Sequence, residues 1–213
     1  MRQAIIFDFD GTIADTMHAA REVLNEMSED YGFARISEDE VEGLRGHTVD
    51  SLVSHLGIKR RHVPMILAKG VKALRSRIRD TSPCKGMAEA IRAMRPHAKH
   101  FGILTSNSAE NVRLFLEVHG LAEHFTFVSS VSKLKGKARY LKSIARTFSL
   151  LSSEMLYIGD EVRDVLASNK AAVPVVAVTW GFNSAEALKK AGPTYLALEP
   201  SDLIEIARLP RFA

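Results

Sequence analysis

The chain has 213 residues, of which 46% are hydrophobic, 25% charged and 7% aromatic, with 13 Gly, 7 Pro and a single Cys. This ordinary globular composition excludes disordered, collagen-like and disulfide-scaffold classes, and the length fits one large domain or a core carrying a smaller insert. The formal charge is +4, from 29 Lys and Arg against 25 Asp and Glu, yet Lys59 to Arg79 holds Lys59, Arg60, Arg61, Lys69, Lys72, Arg75, Arg77 and Arg79 and no acid. A solvated helix face accounts for that stretch better than a nucleic-acid surface does, because no nucleic-acid motif and few aromatics accompany it.

Cys84 alone makes neither an internal disulfide nor a cysteine-based zinc site, in keeping with a reducing compartment. The apolar run from Ala171 to Val178 is eight residues long and contains Pro174, whereas a membrane-spanning helix needs about 20. The N-terminal run from Ala4 to Phe7 is cut short by Asp8 and Asp10, so no signal-peptide core fits. The expectation is a cytoplasmic protein without membrane or nucleic-acid partners, present as a monomer or homodimer.

In chain order, short apolar runs at Ala4–Phe9, His100–Thr105, Phe125–Ser129, Met155–Gly159 and Pro174–Thr179 read as buried strands. Helical spacing lies between the later ones, at Met87–Met94, Ala109–His119, Lys137–Phe148 and Val162–Lys170. Strand and helix in alternation predict a parallel sheet in an α/β core. From Asp15 to about Thr81 no strand signal appears. Instead His18–Tyr31, a capping box at Ser37 and Glu40, Thr48–Leu56 and Val63–Ile78 predict a helical insert, and Ser82-Pro83-Cys84-Lys85-Gly86 suits the return linker. The domain expectation is therefore an α/β core from residues 1–14 and 83–213, interrupted by a helical unit at 15–82.

Functional groups of an open parallel sheet gather where the strands end. Here those ends read Asp8-Phe9-Asp10-Gly11-Thr12, Thr105-Ser106-Asn107, a lysine-rich loop with Lys133, Lys135 and Lys137, and Gly159-Asp160-Glu161 with Asp164 close behind. Carboxylates pooled on one edge repel and need a cation. With no His or Cys among them they suit a hard ion such as Mg²⁺, which takes a few carboxylates together with water and substrate phosphate. A phosphorylated substrate follows. Asp8 is placed to attack phosphorus, Asp10 to serve as acid and base, and a Lys ammonium with the Thr105 hydroxyl to hold the phosphoryl oxygens.

This ordered set resembles the haloacid dehalogenase superfamily of phosphohydrolases, over nearly the whole chain. The resemblance implies a Rossmann-like core with a small all-helical cap inserted after the first strand. It also implies Asp8 as nucleophile, Asp10 as acid and base that offers its backbone carbonyl to the metal, and Thr105 and Lys137 as phosphate-holding residues. Asp160 would bind Mg²⁺, and Asp164 would be a further carboxylate of the metal site. Ser106 and Asn107 fall at the same phosphate-facing turn, and Lys133 is the alternative to Lys137. Arg45, Gly46 and His47 resemble the stretch by which such caps reach the substrate, and Val178-Thr179-Trp180-Gly181-Phe182-Asn183 is similar to the phosphoglycolate phosphatase-like branch. Trp180 and Phe182 are expected to pack at the edge of the core. The expected activity is Mg²⁺-dependent hydrolysis of a small phosphorylated metabolite. The alternatives are a phosphosugar mutase of the β-phosphoglucomutase type and a non-catalytic binder on the same fold. Dehalogenation fits less well, since family members that attack carbon lack the second aspartate.

Overall fold

The computed structural model describes residues 2–45, 49–131 and 136–209. Strand β1 (Arg2–Phe7) leads into helices α1 (Thr16–Tyr31), α2 (Val41–Leu44), α3 (Val49–His55) and α4 (Val63–Ser76). The alternating part follows as α5 (Met87–Met94), β2 (Ala98–Thr105), α6 (Ala109–Val118), β3 (Phe127–Ser130), α7 (Lys137–Thr147), β4 (Met155–Gly159), α8 (Val162–Lys170) and β5 (Val175–Val178). Helix α9 (Ala185–Lys190), β6 (Tyr195–Ala197) and α10 (Pro200–Arg208) complete the described chain.

The six strands form one sheet in the order β3-β2-β1-β4-β5-β6, with every neighbouring pair parallel. Strands covered by helices on both faces must be apolar on both, and Ala4–Phe7 and Val175–Val178 have no exposed residue. One face carries Ile5, Phe7, Phe101, Phe115 and Leu156, and the other Ile6, Leu104, Leu141, Tyr157 and Val165. From β1 the chain moves outward to β2 and β3, then crosses back to β4 on the other side. The crevice at that reversal, beyond the carboxyl ends of β1 and β4, is where such a sheet offers a site.

The α1–α4 segment has its own apolar cluster, built on Val23, Met27, Phe33, Ile36, Val53 and Ile66. Inside it the Asn25 amide brackets the Ile36 backbone, donating to its carbonyl at 2.8 Å and accepting from its N–H at 2.7 Å. Entry and exit of the segment run side by side: Asp15 N–H donates to the Ser82 carbonyl at 2.9 Å, and Cys84 N–H to the Ile13 carbonyl at 2.8 Å. Of the expected capping box, the Ser37 N–H to Glu40 carboxylate bond forms, at 2.8 Å. Thr48, the expected start of a helix, lies outside the described residues, and α3 is described from Val49.

The sequence pattern predicts no element after Thr179, whereas α9, β6 and α10 are present. Strand β6 is three residues long, at the sheet edge and partly exposed, so neither length nor hydrophobic contrast marks it out.

Candidate active site

The turn after β1 builds one wall of the crevice. Phe9 is fully buried among the apolar residues and meets Phe115 edge-on at 5.0 Å between ring centroids. Anchored by that ring, the chain turns at Gly11, whose φ of 73° lies in the left-handed region. A Cβ on Gly11 would also stand 2.5 Å from Asp160 Oδ2, so both conformation and space require glycine there. Asp8 is left almost wholly buried, at 3% exposure, and its Oδ1 accepts from the Phe9 N–H at 2.8 Å.

Opposite it, α7 begins after Gly136 and delivers Lys137 into the crevice. Its Nζ lies 2.6 Å from Asp8 Oδ2 and 2.7 Å from Asp164 Oδ1. Asp164 sits in the first turn of α8, where its Oδ2 also accepts from the Glu161 N–H at 3.2 Å. It fits because Gly159 has no side chain: a Cβ there would come 2.6 Å from Asp164 Oδ2. Asp160, at the end of β4, accepts from the Thr12 hydroxyl at 2.7 Å and from the Phe182 N–H at 2.8 Å. A Cβ on Gly181 would collide with the same carboxylate.

Asp8, Asp160 and Asp164 each offer an oxygen within 4.8 Å of the others, all three buried. Burial pushes the Asp8 carboxyl from its ordinary 3.8 up to about 7; Lys137 pulls it down, and Asp164 and Asp10 push it further up. Asp160 is driven well above the carboxylate range by burial and by the charges of Asp8 and Asp164. Burial works against the Lys137 ammonium, but Asp8 and Asp164 outweigh it and hold its pKa above the usual lysine value. One lysine faces three buried carboxylates, a charge balance that calls for another cation. An all-oxygen donor set suits a hard divalent ion, so the residues present fit such a metal.

The expected phosphate-facing groups line up on the other side. Thr105, fully buried at the end of β2, accepts from the Asn107 N–H at 3.0 Å through its hydroxyl oxygen, which leaves the O–H to donate. The Asn107 amide donates to both Asp10 oxygens at 3.2 and 3.3 Å, so the Asp10 carboxylate is turned toward β2 and stands apart from the three-carboxylate cluster. Ser106 occupies the partly buried turn between Thr105 and Asn107. Ser108 caps α6, accepting from the Asn111 N–H at 3.2 Å. Asp15 caps α1 in the same way, through His18 N–H at 3.3 Å.

Arg45 reaches from the end of α2 to the core, its Nη1 donating to the Thr179 carbonyl at 2.7 Å. It also borders a pocket of about 120 Å³ lined by Arg21, Leu24, Leu44, Leu52 and Phe182, between the helical segment and the loop after β5. Gly46, His47, Lys133 and Lys135 lie outside the described residues. Trp180 packs against the core, and its indole N–H donates to the Thr12 carbonyl at 3.1 Å. Sequence reasoning gives no role to Thr12, Tyr157 or Gly181. Tyr157 lies fully buried beneath the lysine, its hydroxyl 3.4 Å from both Asp164 Oδ1 and the Leu104 carbonyl. Thr12 carried a partial signal as the last residue of the Asp-rich pentad. Tyr157 carries none and Gly181 only its place in the Val178–Asn183 stretch, because what marks them is a contact with a carboxylate brought near by the fold.

A family model described as haloacid dehalogenase-like hydrolase matches residues 5–178. A phosphoglycolate phosphatase of Synechococcus elongatus is 32% identical over 207 residues, covering 95% of this chain and 96% of its own. One from Photorhabdus laumondii is 27% identical over 218 residues, covering 98% and 93%. The solved structure of a haloacid dehalogenase-like family hydrolase from Streptococcus pneumoniae matches with a TM-score of 0.80 over 96% of this chain and 98% of that one; at 17% identity it is a likeness of fold.

Proposed function

The chain belongs to the haloacid dehalogenase-like hydrolase family, and on that premise we propose that it is a Mg²⁺-dependent phosphatase of a small phosphomonoester, with phosphoglycolate as the first candidate. The observation that carries the reading is the Lys137 ammonium held between Asp8 and Asp164 inside a buried three-carboxylate cluster. Asp8, Asp160 and Asp164, with the Asp10 backbone carbonyl, would hold the ion. When bound, it neutralises carboxylate charge and polarises the phosphoryl oxygens.

Asp8 attacks the phosphorus through a carboxylate oxygen, the ester oxygen leaves, and the phosphoryl group is carried as an aspartyl phosphate. Asp10, its side chain oriented by Asn107, protonates the departing alkoxide and then takes a proton from the water that cleaves the acyl phosphate. Lys137 and the Thr105 hydroxyl hold the equatorial oxygens during both transfers. The pocket bordered by Arg21 and Arg45 is otherwise lined by apolar side chains and is small, which supports a small substrate, and the phosphoglycolate phosphatases among the relatives favour phosphoglycolate as the first candidate.

The test is phosphate release from a panel of phosphorylated metabolites and a generic aryl phosphate, with Mg²⁺ and with EDTA. Asp8→Asn should lose turnover by roughly 10³-fold or more while remaining folded by circular dichroism, as expected for removal of a covalent nucleophile. Phosphate released equally by wild type and Asp8→Asn would refute the assignment, and phosphoryl exchange between two positions of one sugar phosphate would replace the phosphatase with a mutase.

A further inference from the structure

Helix α7 carries four cations, Lys137, Arg139, Lys142 and Arg146, and no acid. Lys137 turns inward to the carboxylates, whereas Arg139, Lys142 and Arg146 are exposed. Their spacing of three and four residues puts these three on one helix face, spread over about 10 Å of axial rise. Lys170, in the last turn of α8, joins them, and together they line a groove of about 560 Å³ between α7 and α8, whose inner end is formed by Gly136 and Lys137. Ala167 and Leu166, the latter 56% exposed, contribute apolar surface to the same groove.

Among the described residues no carboxylate stands within ion-pair distance of Arg139, Lys142, Arg146 or Lys170. The acids of the adjoining turn are engaged elsewhere, Glu161 with Arg163 and Asp164 with Lys137. A surface evolved for solubility intersperses both signs, whereas four like charges around one concavity repel until an anion enters. The volume lies within the ordinary range of small-ligand pockets, about 300–1,000 Å³. A single phosphate would satisfy one or two of the cations. Charges strung along about 10 Å of helix match a chain of linked phosphoryl groups, each of which a guanidinium can grip through two N–H bonds.

We propose that this groove, which meets the catalytic crevice at Lys137, is an anion site whose outer part, along Arg139, Lys142 and Arg146, binds a linear polyphosphate carrying three or more linked phosphoryl groups. That chemistry is shared by inorganic polyphosphates and nucleoside triphosphates. The experiment is calorimetric titration of the metal-free full chain at low salt with inorganic tripolyphosphate, a nucleoside triphosphate, and a single-stranded oligonucleotide of matched charge. The expected result is one tripolyphosphate per chain, with Kd at least tenfold weaker in Lys142→Ala/Arg146→Ala and binding retained in Asp8→Asn. Arg139→Gln, a milder change, should weaken binding by a smaller factor without altering the melting temperature. Tighter binding of the nucleoside triphosphate would identify a nucleotide as the ligand, with Leu166 covering its base, and equal binding would identify the inorganic chain. The proposal is overturned by an absence of heat with wild type, by binding that survives in the double variant, by loss of binding in Asp8→Asn, or by an oligonucleotide that outcompetes tripolyphosphate.

Discussion

Asp8 is held in an environment that resists its own ionisation. Burial lifts its pKa from 3.8 to about 7 while the Lys137 ammonium stays charged. A carboxyl whose pKa is raised by folding contributes stability that is complete below the unfolded value and is lost as pH rises through the folded one. In EDTA the melting temperature should therefore fall between about pH 4 and pH 7. Mg²⁺ should recover much of that loss, because it favours the ionised cluster, and Asp8→Asn should make the metal-free slope shallower, with Asp160 supplying what remains. A metal-free profile that is level across that range would show that another group governs the balance. Thr12 makes the second residue-scale case. Its hydroxyl donates to Asp160 at 2.7 Å from a fully buried position, so Thr12→Val leaves the carboxylate short of a donor without changing its charge. Loss of a partner that orients a metal ligand typically weakens metal affinity by about 10–100-fold. The Mg²⁺ concentration for half-maximal activity should rise accordingly, with kcat at saturating Mg²⁺ within a few-fold of wild type. At this scale the sequence shows the residues whose type is costly where they stand, namely acids at the ends of apolar runs. It does not show what holds them. Thr12 and Asp160 are 148 positions apart, and nothing local to Gly181 tells that a carboxylate occupies the space beside it.

Elements were legible in proportion to their burial. Strands β1, β2, β4 and β5 read as apolar runs because helices cover both faces of the sheet, and their ends fell within a few residues of the pattern. Strand β3 was weaker, with three of its four residues only partly buried, and β6 gave no signal at all. The pairing of β2 with β3 depends on a detail that hydropathy does not carry. Gly102 sits opposite Phe127, and a Cβ on Gly102 would stand 2.1 Å from Phe127 Cζ. Gly102→Ala should thus destabilise the fold by about 1–3 kcal/mol, the usual cost of overpacking a tight contact. KM for the substrate should stay unchanged, since the ring lies away from the crevice. Chemical denaturation beside steady-state kinetics separates the two effects, and a variant as stable as wild type would mean that the ring has somewhere to move. Trimming the ring with Phe127→Leu in the Gly102→Ala background should return part of the loss, which a backbone cause would not allow.

At the scale of the molecule, the described residues divide their buried apolar side chains into three clusters. The α1–α4 cluster is built from its own helices, while the two sheet faces are built from β1, β2, β4, β5 and their covering helices. Two adjacent backbone crossings, at Asp15–Ser82 and Ile13–Cys84, join the segment to the sheet, and Arg45 adds a contact to the Thr179 carbonyl. A unit with its own apolar cluster can open with a lower free energy than the sheet. Movement of this kind is what a site needs if it is to admit substrate and then exclude water from an acyl phosphate. Native-state hydrogen exchange should accordingly show the α1 and α4 amides opening together, at least tenfold more often than those of β1 and β4. Mg²⁺ with inorganic phosphate should slow α1 and α4 selectively, because a ligand in the crevice favours the arrangement in which Arg45 still touches the core. Equal protection of helices and sheet would mean that the two clusters unfold as one body, and substrate entry would then have to be assigned to the loops rather than to the whole helical segment.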